Sequence, residues 1–322
     1  MKKLIYSVLA LAAMALTFAS CTNDDAPAEE YVQVSYTAKL PEGISSRAIG
    51  NGETVTHVAC AVYDADNGDA LVLGPDRVNN QVIELTESGV ATFTPTLIKG
   101  RKYKIAFWAF YNPEGNAAYD VYNEDGNVDL TSITKNGTWL CNDETADAFT
   151  DVIEECLSGT TTKPVKLTRP FARLRFGMTS EDWDNTSSLV TTPTHTSMTL
   201  SDGFYTSFNA LTGEPIGQPT TTQLKLNEVT EETYEVGGTE YQTLAFAYVL
   251  MPEGEENKIE TVTVEIKGGE VGNVPIASTT ISSIPLQEGY NTNVSGNLLT
   301  GSVSYTITID SSDSGTNNET KQ

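Results

Sequence analysis

Four cysteines, two histidines and a surplus of carboxylates are the residues in this chain that could do covalent or metal chemistry. His57 and His195 stand in separate strand-like segments. Neither has a second ligand at metal-binding spacing, and neither forms a nameable nucleophile–base pair. No glycine-rich phosphate loop joins a strand to a helix. With 43 Asp and Glu against 19 Lys and Arg, carboxylate pairs arise everywhere and carry no signal. Asp64-Ala65-Asp66-Asn67-Gly68-Asp69 spaces its oxygens like a calcium loop, but its glycine falls one place early. Asn123–Asp129 fails the same pattern, so both read as hairpin turns. The sequons at Asn136, Asn185, Asn293 and Asn318 read as polar loop positions. The chain is expected to be no enzyme, with no cofactor and no metal.

The most directed chemistry is at Cys21. Lys2 and Lys3 precede an apolar run from Leu4 to Phe18, and Phe18-Ala19-Ser20 leads into the cysteine. A basic start, a short apolar core and small residues before the cleavage point mark a secretory signal. About 15 apolar residues fall short of the roughly 20 that span a membrane. A cysteine placed there reads as a bacterial lipoprotein site. Residues 1–20 are expected to be removed and Cys21 acylated, tethering the chain to a membrane. Asp24 and Asp25 add a weak acidic signal for the cell exterior. A net charge of −24 excludes nucleic acid as a partner, because phosphate binding needs a basic footprint.

Three cysteines remain. Cys141 and Cys156 bracket a segment with helical character, and an oxidising compartment favours a bridge between them. Closing that loop would add roughly 3 kcal/mol in the chain-entropy model. Cys60 sits on one face of a strand pattern and reads as a buried free thiol, although its pairing with either of the others stays open.

These residues sit on a chain whose dominant period is two. Val32, Val34, Tyr36, Ala38 and Leu40 share one face of a first strand, Tyr31–Leu40. Further strands read at 55–63, 81–85, 90–95 and 101–111. The most apolar, Tyr103–Phe110, should be central. Another reads at 128–134. A second series runs 165–167, 171–176, 197–200, 204–209, 222–226, 241–250, 259–266, 274–281 and 303–309. Strands about ten residues apart, with Gly, Asn and Pro between them, indicate β-sandwiches. The expected division is 21–164 and 165–310, with Ser158–Thr162 as linker and a polar, disordered tail at 311–322.

Two features flank the ordered body. Glu42–Gly52 is a small-residue loop with Arg47 in its middle, a good target for a trypsin-like protease cutting between Arg47 and Ala48. Near the other end, Val303, Tyr305, Ile307 and Ile309 alternate cleanly with polar residues. A cut at Arg47 would release the first strand and leave two exposed sheet edges, which is costly in water. A terminal strand from another copy could fill that groove by β-augmentation. Burying four or five such side chains is worth on the order of 6–12 kcal/mol before ordering costs. A head-to-tail contact of this kind that does not close gives a filament.

The chain resembles the fimbrillin family, lipoprotein-derived pilus subunits of Bacteroidales. The resemblance lies in the lipoprotein signal, Ser46-Arg47-Ala48, Val165-x-Leu167-x-Arg169-Pro170-Phe171-Ala172-Arg173-Leu174, and Pro285–Thr300. It implies two transthyretin-like β-sandwich domains in tandem and export to the outer membrane through a lipid at Cys21. Cleavage at Arg47 by an arginine-specific protease and donor-strand polymerisation with other subunits would follow. The polar tail after Ile309 departs from the family pattern and leaves the donor strand open. A monomeric surface lipoprotein binding glycan through Trp139 or Trp183 is the alternative.

Overall fold

A computed structural model of the chain describes residues 29–41, 52, 54–113, 116–184, 191–230, 232–252, 256–299 and 304–310. Within them the chain is nearly all β, as its period-two alternation requires.

The first half contributes β1 (Tyr31–Lys39), β2 (His57–Asp64), β3 (Ala70–Leu71), β4 (Gln81–Glu84), β5 (Val90–Phe93), β6 (Thr96–Ile98) and β7 (Lys102–Phe110). Four more follow: β8 (Tyr119–Asp120), β9 (Ile133–Lys135), β10 (Ala148–Cys156) and β11 (Thr161–Lys166). One sheet has the order β11-β1-β5, with β6 pairing on the start of β1. Another has the order β10-β7-β2-β3, with β4 also on β2. Val34, Tyr36 and Ala38 of the first share a core with Val58, Cys60, Val62, Ile105 and Phe107 of the second.

The second half contributes β12 (Phe171–Thr179), the short helix α1 (Ser180–Asp184), β13 (Pro193–Phe204), β14 (Ser207–Asn209), β15 (Glu214–Pro215) and β16 (Thr220–Glu228). It continues with β17 (Thr233–Val236), β18 (Thr239–Leu250), β19 (Glu256–Gly268), β20 (Val274–Gln287), β21 (Asn291–Asn297) and β22 (Ser304–Asp310). Its two sheets run β17-β18-β12-β21-β22 and β16-β13-β19-β20. Leu174, Phe176 and Val249 from one meet Met198, Leu200, Val262 and Val264 from the other in a second core.

A third cluster joins the halves. The strands β2 and β7 are buried on both faces, which explains why Ile105–Phe110 reads as a continuous apolar run. Their outward residues Tyr63, Trp108 and Phe110 lie with Phe171, Phe246 and Tyr248 of the second half. Trp108 stands 5.4 Å from Phe208 and 6.4 Å from Phe171, centroid to centroid. A small sheet, β15-β14-β9-β8, crosses the same junction, because β9 pairs with β14.

Two expectations need correction. Residues 165–167 do not open the second half. Thr161–Lys166 is a strand of the first sheet, and Val165 and Leu167 fill the first core, so the expected linker and boundary fall inside the first sandwich. The segment between Cys141 and Cys156 is not helical either. After a single 3-10 turn at Glu144–Ala146 it extends as β10, paired to β7 along its whole length. Nine residues of strand span roughly 30 Å, so the two thiols stand far apart and both are free. Cys141 is buried beside Thr196 in the second core, and Cys156 is exposed at the far end of β10.

Candidate functional site

The first strand is held as an internal strand. Its burial alternates strictly, with Val32, Val34, Tyr36 and Ala38 inside and Tyr31, Gln33 and Lys39 outside. On one side Val34–Lys39 runs parallel to Thr161–Lys166 of β11. On the other, Tyr31–Gln33 pairs with β6 and Tyr36–Lys39 with β5, both antiparallel. Both backbone edges of β1 are therefore satisfied by strands distant in sequence, and its removal would expose both.

Tyr36 is the deepest anchor. Its ring is fully buried, 5.8 Å from Phe107, which in turn lies 5.8 Å from Phe93. A buried phenol needs a partner. The Tyr36 hydroxyl donates to Glu155 of β10, which also takes the ammonium of Lys163 on β11. Burial, reinforced by the hydrogen bond and charge of Glu155, pushes the phenol far above its ordinary range. The latch thus ties β1 to both sheets of the sandwich. At the strand entrance, Glu29 pairs with Arg101 at 2.9 Å and Glu30 with Lys99 at 2.8 Å. Both pairs are solvent-exposed and add little.

The strand at the other end of the chain is held differently. Among described strands, β22 pairs only with β21 and forms a sheet edge. Tyr305 is 42% exposed and Ile309 39%, while Ile307 packs half-buried on the second core. Cys21, Arg47, Ala48 and Val303 lie outside the described residues. Gly52, the last residue of the arginine loop, is buried, and its carbonyl accepts from the Val55 N–H at 3.0 Å.

The sequence holds one signal for this site that alternation alone misses. Val34-Ser35-Tyr36-Thr37 of β1 recurs in the sequence as Val303-Ser304-Tyr305-Thr306, whose last three residues open the last strand. The buried tyrosine of the groove and the exposed tyrosine of the edge strand occupy the same place in the two copies.

The motif Leu167–Leu174 is a structural seam. Leu167 fills the first core, Phe171 the junction and Leu174 the second core. Buried Arg169 donates to both carboxylate oxygens of buried Asp147, at 2.7 and 2.9 Å. Buried Arg175 donates to Asn293 at 2.9 Å and stacks 3.7 Å from the Tyr234 ring centroid. The acidic turn after β2 is likewise consumed internally. Asp64 pairs with Arg101, Asp69 pairs with Lys104, and Asp66 accepts from the backbone N–H of Lys102. Trp139 packs edge-on against Phe204 at 5.0 Å, partly buried against the second core.

A family model described as a family of unknown function, DUF6562, matches residues 26–321. No curated protein matches the sequence. Solved structures that the chain is similar to include a candidate cell adhesion protein from Bacteroides uniformis ATCC 8492. It is 12% identical, with a TM-score of 0.47, over 88% of this chain and 99% of that one. A candidate cell adhesion protein from Bacteroides ovatus ATCC 8483 is 14% identical, with a TM-score of 0.46, over 88% and 98%. A fimbrial assembly protein from Parabacteroides distasonis ATCC 8503 is 14% identical, with a TM-score of 0.40, over 87% and 99%. Likenesses of this strength carry no argument about activity.

Proposed function

The chain belongs to this DUF6562 family, and we propose that it serves as a structural subunit of a surface fimbria, joined to its neighbours by exchange of the first strand. The observation that carries the reading is the repeated Val-Ser-Tyr-Thr, whose tyrosine is buried in β1 as Tyr36 and exposed on the last strand as Tyr305. Lipidation at Cys21 would deliver the chain to the outer membrane, and a trypsin-like protease would cut between Arg47 and Ala48. The fragment carrying β1 then leaves, and Val303, Tyr305, Ile307 and Ile309 of a neighbour enter the groove.

Aligning the two copies seats Val303 where Val34 stood and Tyr305 where Tyr36 stood. The phenol then finds the same Glu155 acceptor. Ile307 meets the smaller space of Ala38, and such overpacking costs about 1–3 kcal/mol unless the wall yields. Against this, the donor gives up only one row of backbone pairing and little apolar burial when it leaves β21. A chain in which Arg47 stays uncut keeps both lipid and first strand, and would act as an anchor. The role is non-enzymatic and needs no cofactor.

Trypsin treatment of the purified protein tests the reading. A subunit releases a fragment ending at Arg47 and then forms ladders on a non-denaturing gel, and Tyr305→Asp abolishes the ladders without changing the cut. Protein that is cut at Arg47 yet stays monomeric at high concentration would falsify strand exchange.

A further inference from the structure

The second sandwich has a cleft that strand exchange does not use. It encloses about 660 Å³ between Trp183 of α1, Thr194 and His195 at the start of β13, Glu228 at the end of β16, Gln242 of β18 and Glu270 in the turn after β19. That volume lies within the usual range of small-ligand sites, about 300–1,000 Å³.

The walls are fixed by contacts that leave defined groups for a ligand. Thr194 donates to the Gly269 carbonyl at 2.7 Å and lies 2.9 Å from His195 Nδ1, so Nε2 is the ring nitrogen without a hydrogen-bond partner among the described residues. The turn after β19 presses close on this wall, since a Cβ on Gly272 would meet the His195 side chain at 2.8 Å. Gln242 Nε2 donates to the carbonyls of Thr230 and Glu232 at 3.0 and 3.4 Å, leaving its Oε1 as an acceptor. Among the described residues, neither Glu228 nor Glu270 has a cation as partner.

We propose that this cleft binds a neutral saccharide. One indole beside two carboxylates, an amide oxygen and an imidazole matches a sugar ring, which has an apolar C–H face and an equatorial rim of hydroxyl donors. Unneutralised carboxylates take hydroxyl donors in charge-assisted bonds and repel anionic ligands. A quaternary ammonium site would surround its ligand with several aromatic faces, and this cleft offers one.

The test is calorimetric titration of the full-length protein with cellohexaose, xylohexaose and mannohexaose. Hexagalacturonate and chitosan hexamer serve as anionic and cationic contrasts. At least one neutral hexasaccharide should bind. Glu270→Ala, at an exposed turn position, should weaken it about tenfold or more with unchanged melting temperature. Trp183→Phe should weaken it as well, but this tryptophan also packs on the second core, so Glu270→Ala is the decisive variant. No binding of any neutral hexasaccharide, equal binding by Glu270→Ala, or tighter binding of either charged oligomer would overturn the proposal. None of these outcomes depends on cleavage at Arg47.

Discussion

Replacing Tyr36 by alanine should loosen the first strand more than any other single truncation within it. The ring is fully buried against Phe107 and its hydroxyl meets Glu155. Truncating a buried large aromatic costs about 3–5 kcal/mol. Tyr36→Phe keeps the ring and loses only a hydrogen bond to a charged acceptor, about 1.5–3 kcal/mol. At roughly 1.4 kcal/mol per decade, alanine should raise the release equilibrium of β1 by about two to three and a half decades, and phenylalanine by about one to two. The assay uses protein cut after Arg47, with a labelled synthetic peptide of residues 29–47 competing for the groove and anisotropy reporting occupancy. Gln33→Ala, an exposed position on the same strand, is the control and should change nothing. If Tyr36→Ala holds β1 within a factor of about two of the wild type, backbone pairing alone retains the strand, and the argument from side-chain wells is wrong.

The remaining predictions address the body that carries the groove. In native protein at pH 8, an alkylating reagent mapped by peptide mass should modify Cys156 and spare Cys60 and Cys141; burial pushes the Cys141 thiol up to about 11 and that of Cys60 higher still. A Cys141–Cys156 disulfide in that digest would contradict the extended β10. Burial also raises the phenols of Tyr36, Tyr63, Tyr119 and Tyr248. Above the unfolded value near pH 10 the unfolded chain sheds protons that the folded chain keeps. Stability is therefore whole below pH 10 and falls above it, by about 1.4 kcal/mol per pH unit for each such group; denaturant midpoints that stay flat from pH 9 to 11 would refute this. Arg169→Met strands the buried Asp147 carboxylate and should cost about 3–5 kcal/mol, with both sandwiches melting in one earlier transition. Two separated transitions, only one of them shifted, would show that the junction does not couple the halves.

Much of the fold is legible along the chain because a strand writes its two faces into alternate residues. Val32, Val34, Tyr36 and Ala38 point inward as their spacing requires, and the strand of Ile105–Phe110 is central as that segment's unbroken apolarity requires. The same rule misleads where local pattern is ambiguous. The stretch after Cys141 carries helix-tolerant residues, yet β7 captures it as β10, and pairing to a neighbour outweighs weak propensity. Val165 and Leu167 look like the start of a new series but complete the sheet begun by β1.

Residue order by itself determined which strands exist, which face of each is apolar, and that one tetrapeptide is written twice. Only the tertiary structure decided that Val34–Thr37 is sealed between two edges while Ser304–Thr306 lies open at a border, and that the two halves share a small sheet and an aromatic cluster. The reason is range. Side-chain alternation is fixed by the geometry of adjacent peptide units, whereas the partners of β1 come from residues about 55 and 125 positions on. No local rule selects them, and the burial they confer depends on the whole chain closing around them.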